Sequence, residues 1–267
     1  HSVESDDFFT CYSIVDERSA AFFALGLMQE LREPVAISCT SGTAVANYSS
    51  AVNEAWYQKL PLVIITADRH PYYLNQLEDQ MIPQQNIFSK VCKKAVQLPI
   101  IENDKDAWYC NRLLNEVFLE LRSNGDGPIH INVPIETGIV SFNTSELPEP
   151  RIIQRLVVNQ NNQLWVDKIN DLKKAKKILL IYGQNHPISK EEEDIIHTFT
   201  TKYNCAIAVD HLSNIKLSST IETFMISRII SDEDFDTLMP EIVISLHGNY
   251  TSYIRNKLVN KKGFEHW

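Results

Sequence analysis

Short β-branched runs alternate with longer amphipathic stretches along this chain. The alternation is typical of strand-helix repeats, because two parallel strands need a helix-length crossover between them. It predicts an α/β fold built on mainly parallel sheets. Parallel strands end along one edge of their sheet, where ligands of open α/β folds bind. We therefore expect functional residues in the loops that follow strands.

Two sets of elements are predicted, separated by the proline-containing residues 146–150, where the periodicity lapses. In the first set we expect strands near Cys11–Val15, Val35–Cys39, Leu62–Ala67, Lys94–Leu98 and Ile129–Val133, and helices over Arg18–Leu31, Ala44–Gln58 and Lys105–Arg122. In the second we expect strands at Ile178–Tyr182, Ala206–Val209, Ile242–Leu246 and from Phe264, and helices near Lys190–Lys202 and Tyr250–Leu258. The sequence thus predicts a parallel-sheet domain over residues 1–147, then part of a Rossmann-like domain over residues 148–267. Both ends of the chain are expected to be cut.

Composition and charge argue against several classes of function. The net charge of −9 comes without a basic stripe, which argues against nucleic acid as a partner. The apolar runs are far shorter than the roughly 20 residues of a membrane span, and the acidic N-terminus does not resemble a signal peptide. Five scattered cysteines without a CxxC pair predict reduced thiols in a cytoplasmic protein, with Cys39 a buried apolar residue. No metal site is predicted within this chain.

Glu17 is the strongest candidate for chemistry. It lies where an apolar run ends and a small-residue helix begins, a junction at which α/β proteins bind ligands. Close packing of alanine and glycine is expected to exclude water there, and burial raises the pKa of a carboxyl group. We therefore expect a proton-exchanging carboxylate.

The segment from Cys39 to Ala44 joins a strand to a helix through the small residues Thr40, Ser41, Gly42 and Thr43. Thr43 is the expected N-cap, and the backbone N–H groups of such a turn suit an anion or a polar ring. An ordinary capped helix without a ligand explains the same residues equally well.

Arg69 follows the strand that contains Val63–Ile65, so it is expected at the same sheet edge. Its planar guanidinium suits a carboxylate clamp. A structural Asp68-Arg69 loop brace is the equally favoured alternative.

Gly125-Asp126-Gly127, with Asn161-Asn162 downstream, has the letters of a diphosphate and magnesium motif. It follows a predicted helix rather than a buried strand, so we interpret it as a glycine turn. No GxGxxG or GxxxxGK[ST] pattern is present. Neither a dinucleotide fingerprint nor a P-loop is predicted.

Together, the motifs Asp16–Phe22, Cys39–Ala44 with Asn47, and Thr66–Arg69 resemble those of thiamin diphosphate enzymes. Within that family they resemble the 2-succinyl-5-enolpyruvyl-6-hydroxy-3-cyclohexene-1-carboxylate (SEPHCHC) synthases of menaquinone synthesis. The segments Asp79–Gln84 and Gly127–Pro134 extend the resemblance over most of residues 11–135. His70 and Asp79 depart from the usual proline and asparagine of the family.

The resemblance implies a pyrimidine-binding domain in which Glu17 hydrogen-bonds N1′ of the cofactor. It implies that Thr40, Ser41, Gly42 and Thr43 line the cofactor side, and that Arg69 and Gln80 line the substrate side. The family decarboxylates 2-oxoglutarate and adds the four-carbon unit to isochorismate. Its diphosphate and Mg²⁺ sites belong to a C-terminal domain, and its active sites are shared between subunits of a homodimer or homotetramer. The chain is thus expected to be a partial enzyme, inactive alone.

Other functions stay open at this point. Another thiamin-dependent 2-oxoacid decarboxylase or synthase fits the same motifs. A noncatalytic module with the same fold is a further possibility. The presence of Glu17 argues against that module, because a scaffold has no need of an acid in an apolar niche.

Overall fold

Strands and helices alternate along the chain, as the hydrophobic pattern predicts. A computed structural model describes residues 3, 4, 6–135, 149–160, 162–259 and 261–267. The chain divides into two units between Arg155 and Leu156. The predicted boundary at residues 147/148 and most of the predicted linker, residues 146–148, lie outside the described residues, so that boundary stays a prediction.

The first unit is a parallel sheet with helices on both faces. Its elements are α1 (Glu17–Leu31), β1 (Val35–Cys39), α2 (Thr43–Asn47), α3 (Ser49–Gln58), β2 (Leu62–Asp68), β3 (Lys94–Gln97), α4 (Asp104–Leu121) and β4 (Ile129–Pro134). The strand order is β1-β2-β4-β3, with every pair parallel. One apolar core lies between the sheet and α1 to α3, and another lies under α4. All the carboxyl ends of the strands therefore share one edge.

Helix α1 starts where the sequence predicts. The Asp16 side chain caps it by accepting a hydrogen bond from the Ser19 N–H at 2.7 Å. The buried side chains recur at helical spacing, so one face packs on the sheet: Ala21, Ala24, Leu25 and Met28. This packing places Glu17, the first helical residue, beside the sheet edge.

The predicted strand Cys11–Val15 is wrong. No strand covers these residues, and Val15 is 99% exposed. A strand needs a neighbour for its backbone hydrogen bonds, and β1 at the sheet edge pairs with β2 alone within the described residues. Apolar composition without that pairing leaves the segment irregular.

The single predicted helix Ala44–Gln58 is also wrong in detail. Two helices, α2 and α3, meet at the buried Tyr48. The Tyr48 N–H bonds the Val45 carbonyl three residues back, and this tight turn separates the helices. The site-bearing helix α2 is consequently short.

The second unit repeats the construction. Its elements are α5 (Asn162–Lys174), β5 (Ile178–Tyr182), α6 (Lys190–Tyr203), β6 (Cys205–Val209), β7 (Thr220–Glu222), α7 (Ile226–Ile229), α8 (Asp232–Thr237), β8 (Ile242–Leu246), α9 (Ile254–Val259) and β9 (Glu265–His266). The parallel strand order is β7-β6-β5-β8-β9. The predicted strands of this half are confirmed, and α/β is the fold class of both units. No helix in the described ranges is long and apolar enough to cross a membrane.

Candidate active site

Two loops leave the first sheet side by side. Strands β1 and β2 are parallel neighbours, with Cys39 in register with Thr66. Residues 40–43 follow β1, and Arg69 follows β2, so both loops emerge at the same edge. The first residue of α1, Glu17, approaches this edge as well. The fold thus gathers the predicted site residues.

Glu17 is partly buried against the helix that follows the first loop. Asn47 of α2 donates a hydrogen bond to Glu17 Oε2 at 3.2 Å. Within the described residues, Glu17 Oε1 receives no hydrogen bond. The sequence predicted a water-excluded carboxylate, whereas in this chain the group lies only partly out of solvent. One carboxylate oxygen is left to bind a ligand.

Cys39 and Tyr48 lie near this carboxylate. Burial raises the pKa of the Cys39 thiol to about 11; a hydrogen bond from Tyr48 opposes that rise and the Glu17 charge adds to it. Burial likewise raises the pKa of Tyr48, with the Cys39 and Glu17 charges adding to the effect. Both groups are therefore neutral at pH 7. Cys39 is not a thiolate nucleophile, in line with the sequence interpretation.

Gly42 makes the turn between β1 and α2. It is the N-cap residue of α2 and has φ of 83°, so the prediction of Thr43 as the N-cap is wrong. A Cβ atom on residue 42 would lie 2.9 Å from the Gln80 carbonyl oxygen. Only glycine accepts both this φ and this approach.

Gln80 closes over the turn from the other side. Its Nε2 donates to Thr40 Oγ1 at 3.0 Å and to the Ser41 carbonyl at 3.3 Å. Thr40, Thr43 and Gln80 are exposed, whereas Ser41 and Gly42 are buried. The predicted cofactor-side and substrate-side residues are therefore in direct contact.

Arg69 lies on the same face, with a side chain that is 20% exposed. Its Nη2 reaches Asp79 Oδ1 at 3.4 Å, a long contact to a carboxylate that is 84% exposed. Its Nε–H is buried and has no partner among the described residues. A buried donor without a partner is costly, so a bound anion at this point would be stabilising. A structural loop brace would use the donors of Arg69, whereas a carboxylate clamp leaves them available for a ligand. The unpartnered Nε–H therefore favours the carboxylate clamp.

Sequence reasoning missed Gln84 and Asn132 as site residues. Both are about 1% exposed and hydrogen-bond each other at 3.0 Å behind the two loops. Thr66 donates to Asn132 Oδ1 at 2.8 Å and contacts His130 Nε2 at 2.8 Å. Burial lowers the pKa of His130 to about 4, so its ring is neutral. The available signal was polarity at buried positions: His130 and Asn132 interrupt an otherwise apolar strand.

Gly125-Asp126-Gly127 is a turn, as interpreted, after α4 and before β4. Gly125 has φ of 98°, and the Lys93 ammonium donates to the Ser123 and Gly125 carbonyls. A cation in that position repels Mg²⁺. Asn161 of the downstream pair lies outside the described residues. No cluster of His, Cys, Asp or Glu suited to a metal ion occurs in the part of the chain that the structure describes.

Comparison with known proteins identifies the class of enzyme that this chain resembles. Residues 1–90 match the family model described as "Thiamine pyrophosphate enzyme, N-terminal TPP binding domain". The chain is 39% identical to an SEPHCHC synthase from Bacteroides fragilis and 36% identical to one from Phocaeicola vulgatus. Each alignment covers 100% of this chain and 48% of the relative.

Residues 1–90 thus belong to the thiamine pyrophosphate enzyme family, and the whole chain is similar to SEPHCHC synthases. The resemblance drawn from the three sequence motifs is thereby confirmed, down to the SEPHCHC synthases among its relatives. The chain spans about half the length of those curated relatives, 48% in the Bacteroides fragilis case. Among solved structures, benzoylformate decarboxylase from Polynucleobacter necessarius aligns with a TM-score of 0.40 at 16% identity, over 90% of this chain and 44% of that one.

Proposed function

We propose that the protein containing this chain is a thiamin diphosphate-dependent SEPHCHC synthase, a transferase that decarboxylates 2-oxoglutarate and adds the four-carbon unit to isochorismate. The chain supplies its pyrimidine-binding part. The carrying observation is the position of Glu17 beside the Gly42 turn, in a chain 39% identical to an SEPHCHC synthase. Family membership and site geometry support the same function.

The residues at this edge fit the aminopyrimidine of thiamin diphosphate. Glu17 has an oxygen free to meet a ring nitrogen, while Asn47 fixes the orientation of the carboxylate. Thr40 and Thr43 expose side chains on the adjoining turn. These residues would hold the cofactor from one side.

When bound, thiamin diphosphate supplies the carbanion chemistry that decarboxylation of a 2-oxoacid needs. Glu17 holds a proton at N1′ of the aminopyrimidine and exchanges it during turnover. Asn47 would orient the Glu17 carboxylate through its hydrogen bond to Oε2. Gln80 lies over the turn and would line the substrate side.

Arg69 would bind a carboxylate of 2-oxoglutarate or isochorismate. Its unpartnered Nε–H and its weakly held Nη2 form a fork that suits two carboxylate oxygens. The exposed Asp79 is a poor competitor, because its charge is solvated. Substrate binding would therefore displace a weak contact and satisfy a buried donor.

The rest of the catalytic assembly forms part of the same proposal. Mg²⁺ and the cofactor diphosphate would bind to a domain beyond this chain, and the active site would be shared between subunits of a homodimer or homotetramer. All five cysteines are free, which fits a reducing compartment such as the cytoplasm.

The decisive test is Glu17→Gln in the full-length protein that contains this chain. We expect turnover to fall at least about 100-fold, because an amide cannot exchange the proton at N1′. Asp16→Asn is the matched control: it removes the neighbouring charge, and asparagine still caps α1. Activity is followed as CO₂ release from 2-oxoglutarate with isochorismate present, with circular dichroism to check folding.

The outcomes separate the alternatives. Near-normal turnover in Glu17→Gln would overturn the assignment of this acid. Turnover of a different 2-oxoacid by the wild-type protein, with none of 2-oxoglutarate, would replace the substrate while keeping the cofactor chemistry. An inactive wild-type protein that binds no thiamin diphosphate would overturn the whole proposal.

A further inference from the structure

A buried amide joins the two loops of the candidate site from behind. Gln84 lies outside regular secondary structure, between β2 and β3, and is 1% exposed. Its Oε1 accepts the Gly42 N–H at 2.7 Å, and its Nε2 donates to the Ala67 carbonyl at 2.9 Å. The second Nε2 hydrogen goes to Asn132 Oδ1 at 3.0 Å. Both hydrogens of the amide are used, so its orientation is fixed.

The contact with Gly42 substitutes for a helix cap. No side chain among the described residues caps α2, and the N-cap residue, Gly42, has none to offer. Gln84 reaches across 42 residues of sequence to take the Gly42 N–H instead. The turn that carries Thr40–Thr43 is therefore held by a long-range bond from another segment.

The other end of the amide reaches the substrate-side loop. Asn132 Nδ2 donates to Asp68 Oδ2 at 2.7 Å, and Asp68 Oδ1 accepts the Arg69 N–H at 2.8 Å. A continuous path thus runs from Gly42 through Gln84, Asn132 and Asp68 to the backbone of Arg69.

Counting donors and acceptors along this path leaves one possible assignment of its hydrogen bonds. Asn132 Oδ1 can only accept, so it uses the hydroxyl hydrogen of Thr66. Thr66 must then accept from His130 Nε2–H, and Asn132 is left with its amide hydrogens facing Asp68. No member can rotate without losing a bond, so the arrangement is rigid.

We propose that Gln84 is a positioning residue that sets the distance between the cofactor-side turn at Gly42 and the substrate-side loop at Arg69. The inference rests on the proposed function, because it names what each loop binds. Because Gln84 is 1% exposed, it would contact neither ligand directly. Its effect passes through the Gly42 N–H on one side and through Asn132 on the other.

The test is Gln84→Met in the full-length protein, which keeps the shape and removes every polar contact. We expect the dissociation constant of thiamin diphosphate and the KM for 2-oxoglutarate to rise together, each about tenfold, because each loop loses its own buried hydrogen bonding to Gln84. Gln85→Glu is the control, since Gln85 is the exposed neighbour. Gln84→Glu is the second variant. It keeps the acceptor for Gly42 and loses the donors to Ala67 and Asn132, so the KM for 2-oxoglutarate should rise more than the dissociation constant of the cofactor.

A purely structural role gives a different result. It would lower the Tm of both Gln84 variants and leave both constants unchanged well below that temperature, which would overturn the inference. Cofactor binding by calorimetry separates this from failure of the proposed function. If the wild type binds the cofactor and turns over, but the variants match it, only the positioning role falls. If the wild type binds no cofactor, both fall.

Discussion

Asp210 in the second unit and Arg69 in the first both follow a parallel strand at its carboxyl end, yet their hydrogen-bonding capacity is used differently. Asp210 accepts from the backbone N–H groups of Leu212 and Thr251 at 2.9 and 2.6 Å, and from the hydroxyls of Ser213 and Thr251. Arg69 has one long ion pair and a buried Nε–H without a partner in the described residues. The first is a completed brace; the second keeps capacity for a ligand.

The comparison shows how a structural charged group, Asp210, differs from a candidate ligand-binding group, Arg69, at the edges of two similar sheets. Burial alone would raise the pKa of Asp210, but hydrogen bonds from Thr251, Leu212 and Ser213 outweigh it and leave the pKa lowered. A charged group satisfied in this way serves stability. A polar group left without partners among the described residues, such as Arg69 Nε–H at the carboxyl edge of the first unit's own sheet, is destabilising until something binds.

The largest stability effect is expected at the completed brace. Asp210→Ala removes a buried carboxylate that accepts from two backbone N–H groups and two hydroxyls, so the free energy of unfolding should fall by about 3 kcal/mol. Asp232→Ala is the control: its side chain is 81% exposed and it should cost less than about 1 kcal/mol. Denaturant unfolding of the 267-residue chain measures both. Equal losses of unfolding free energy in the two variants would contradict the distinction between a buried, fully hydrogen-bonded charge and an exposed one.

The next effect is a pH dependence of stability caused by His130, which lies in the buried hydrogen-bond network of the first unit. The pKa of His130 is about 4 when folded, below its usual 6.5, because of burial. The unfolded chain takes up the proton first, so stability is complete above pH 6.5 and falls as pH drops towards 4. The total loss is about 3 kcal/mol, at about 1.4 kcal/mol per pH unit.

His130→Gln keeps a donor towards Thr66 and cannot titrate, so this part of the acid destabilisation should disappear. His197→Gln, at an exposed position, should retain it. Denaturation midpoints measured between pH 7 and pH 4 test the sign. An unchanged pH dependence in His130→Gln would remove this histidine as the cause.

Arg69→Ala tests the role of the guanidinium whose Nε–H has no partner among the described residues. It should raise the KM for 2-oxoglutarate or isochorismate about tenfold, through loss of a charge-assisted bond, with little change in Tm. Arg122→Ala removes an exposed guanidinium paired with Glu33 and should leave KM unchanged. A large fall in Tm with unaltered kinetics would show that Arg69 is a brace like Asp210.

The smallest effect is expected at the glycine turn. Asp126→Asn should change neither the Mg²⁺ dependence of turnover nor thiamin diphosphate binding, because Lys93 already occupies the turn. Calorimetry with Mg²⁺ and the cofactor, on the full-length protein, measures this. A weaker Mg²⁺ response would mean that a polar turn outside the sheet edge also serves the site.

The sequence predicted elements best where burial follows a simple period. Ile178–Tyr182 and Ile242–Leu246 are strands with the predicted bounds, since each is a short apolar run buried in a sheet. Helices α5, α7 and α8 and strand β7 were not predicted. Helix α7 has four residues and β7 three, too few to show a period.

Site prediction failed where long-range contacts decide the geometry. Glu17, Gly42 and Arg69 could be proposed from the sequence because each is predicted to follow a strand or to start a helix. The cap of α2 was misplaced because its partner, Gln84, comes from 42 residues away. Spacing along the chain carries no information about such a bond, and it becomes visible only in the fold.

The strand order of the first sheet has a consequence for how this unit is made. Residues 94–97 of β3 pair with β4 alone in the described structure, and β4 is the last of the described strands of the unit to leave the ribosome. Until residues 129–134 arrive, β2 and β3 face a gap, and Thr66 and Gln84 have no Asn132 to bond. Long-range pairing of this kind is slow to form and leaves edges exposed meanwhile. Folding of the unit and assembly of its polar network therefore finish in the same step.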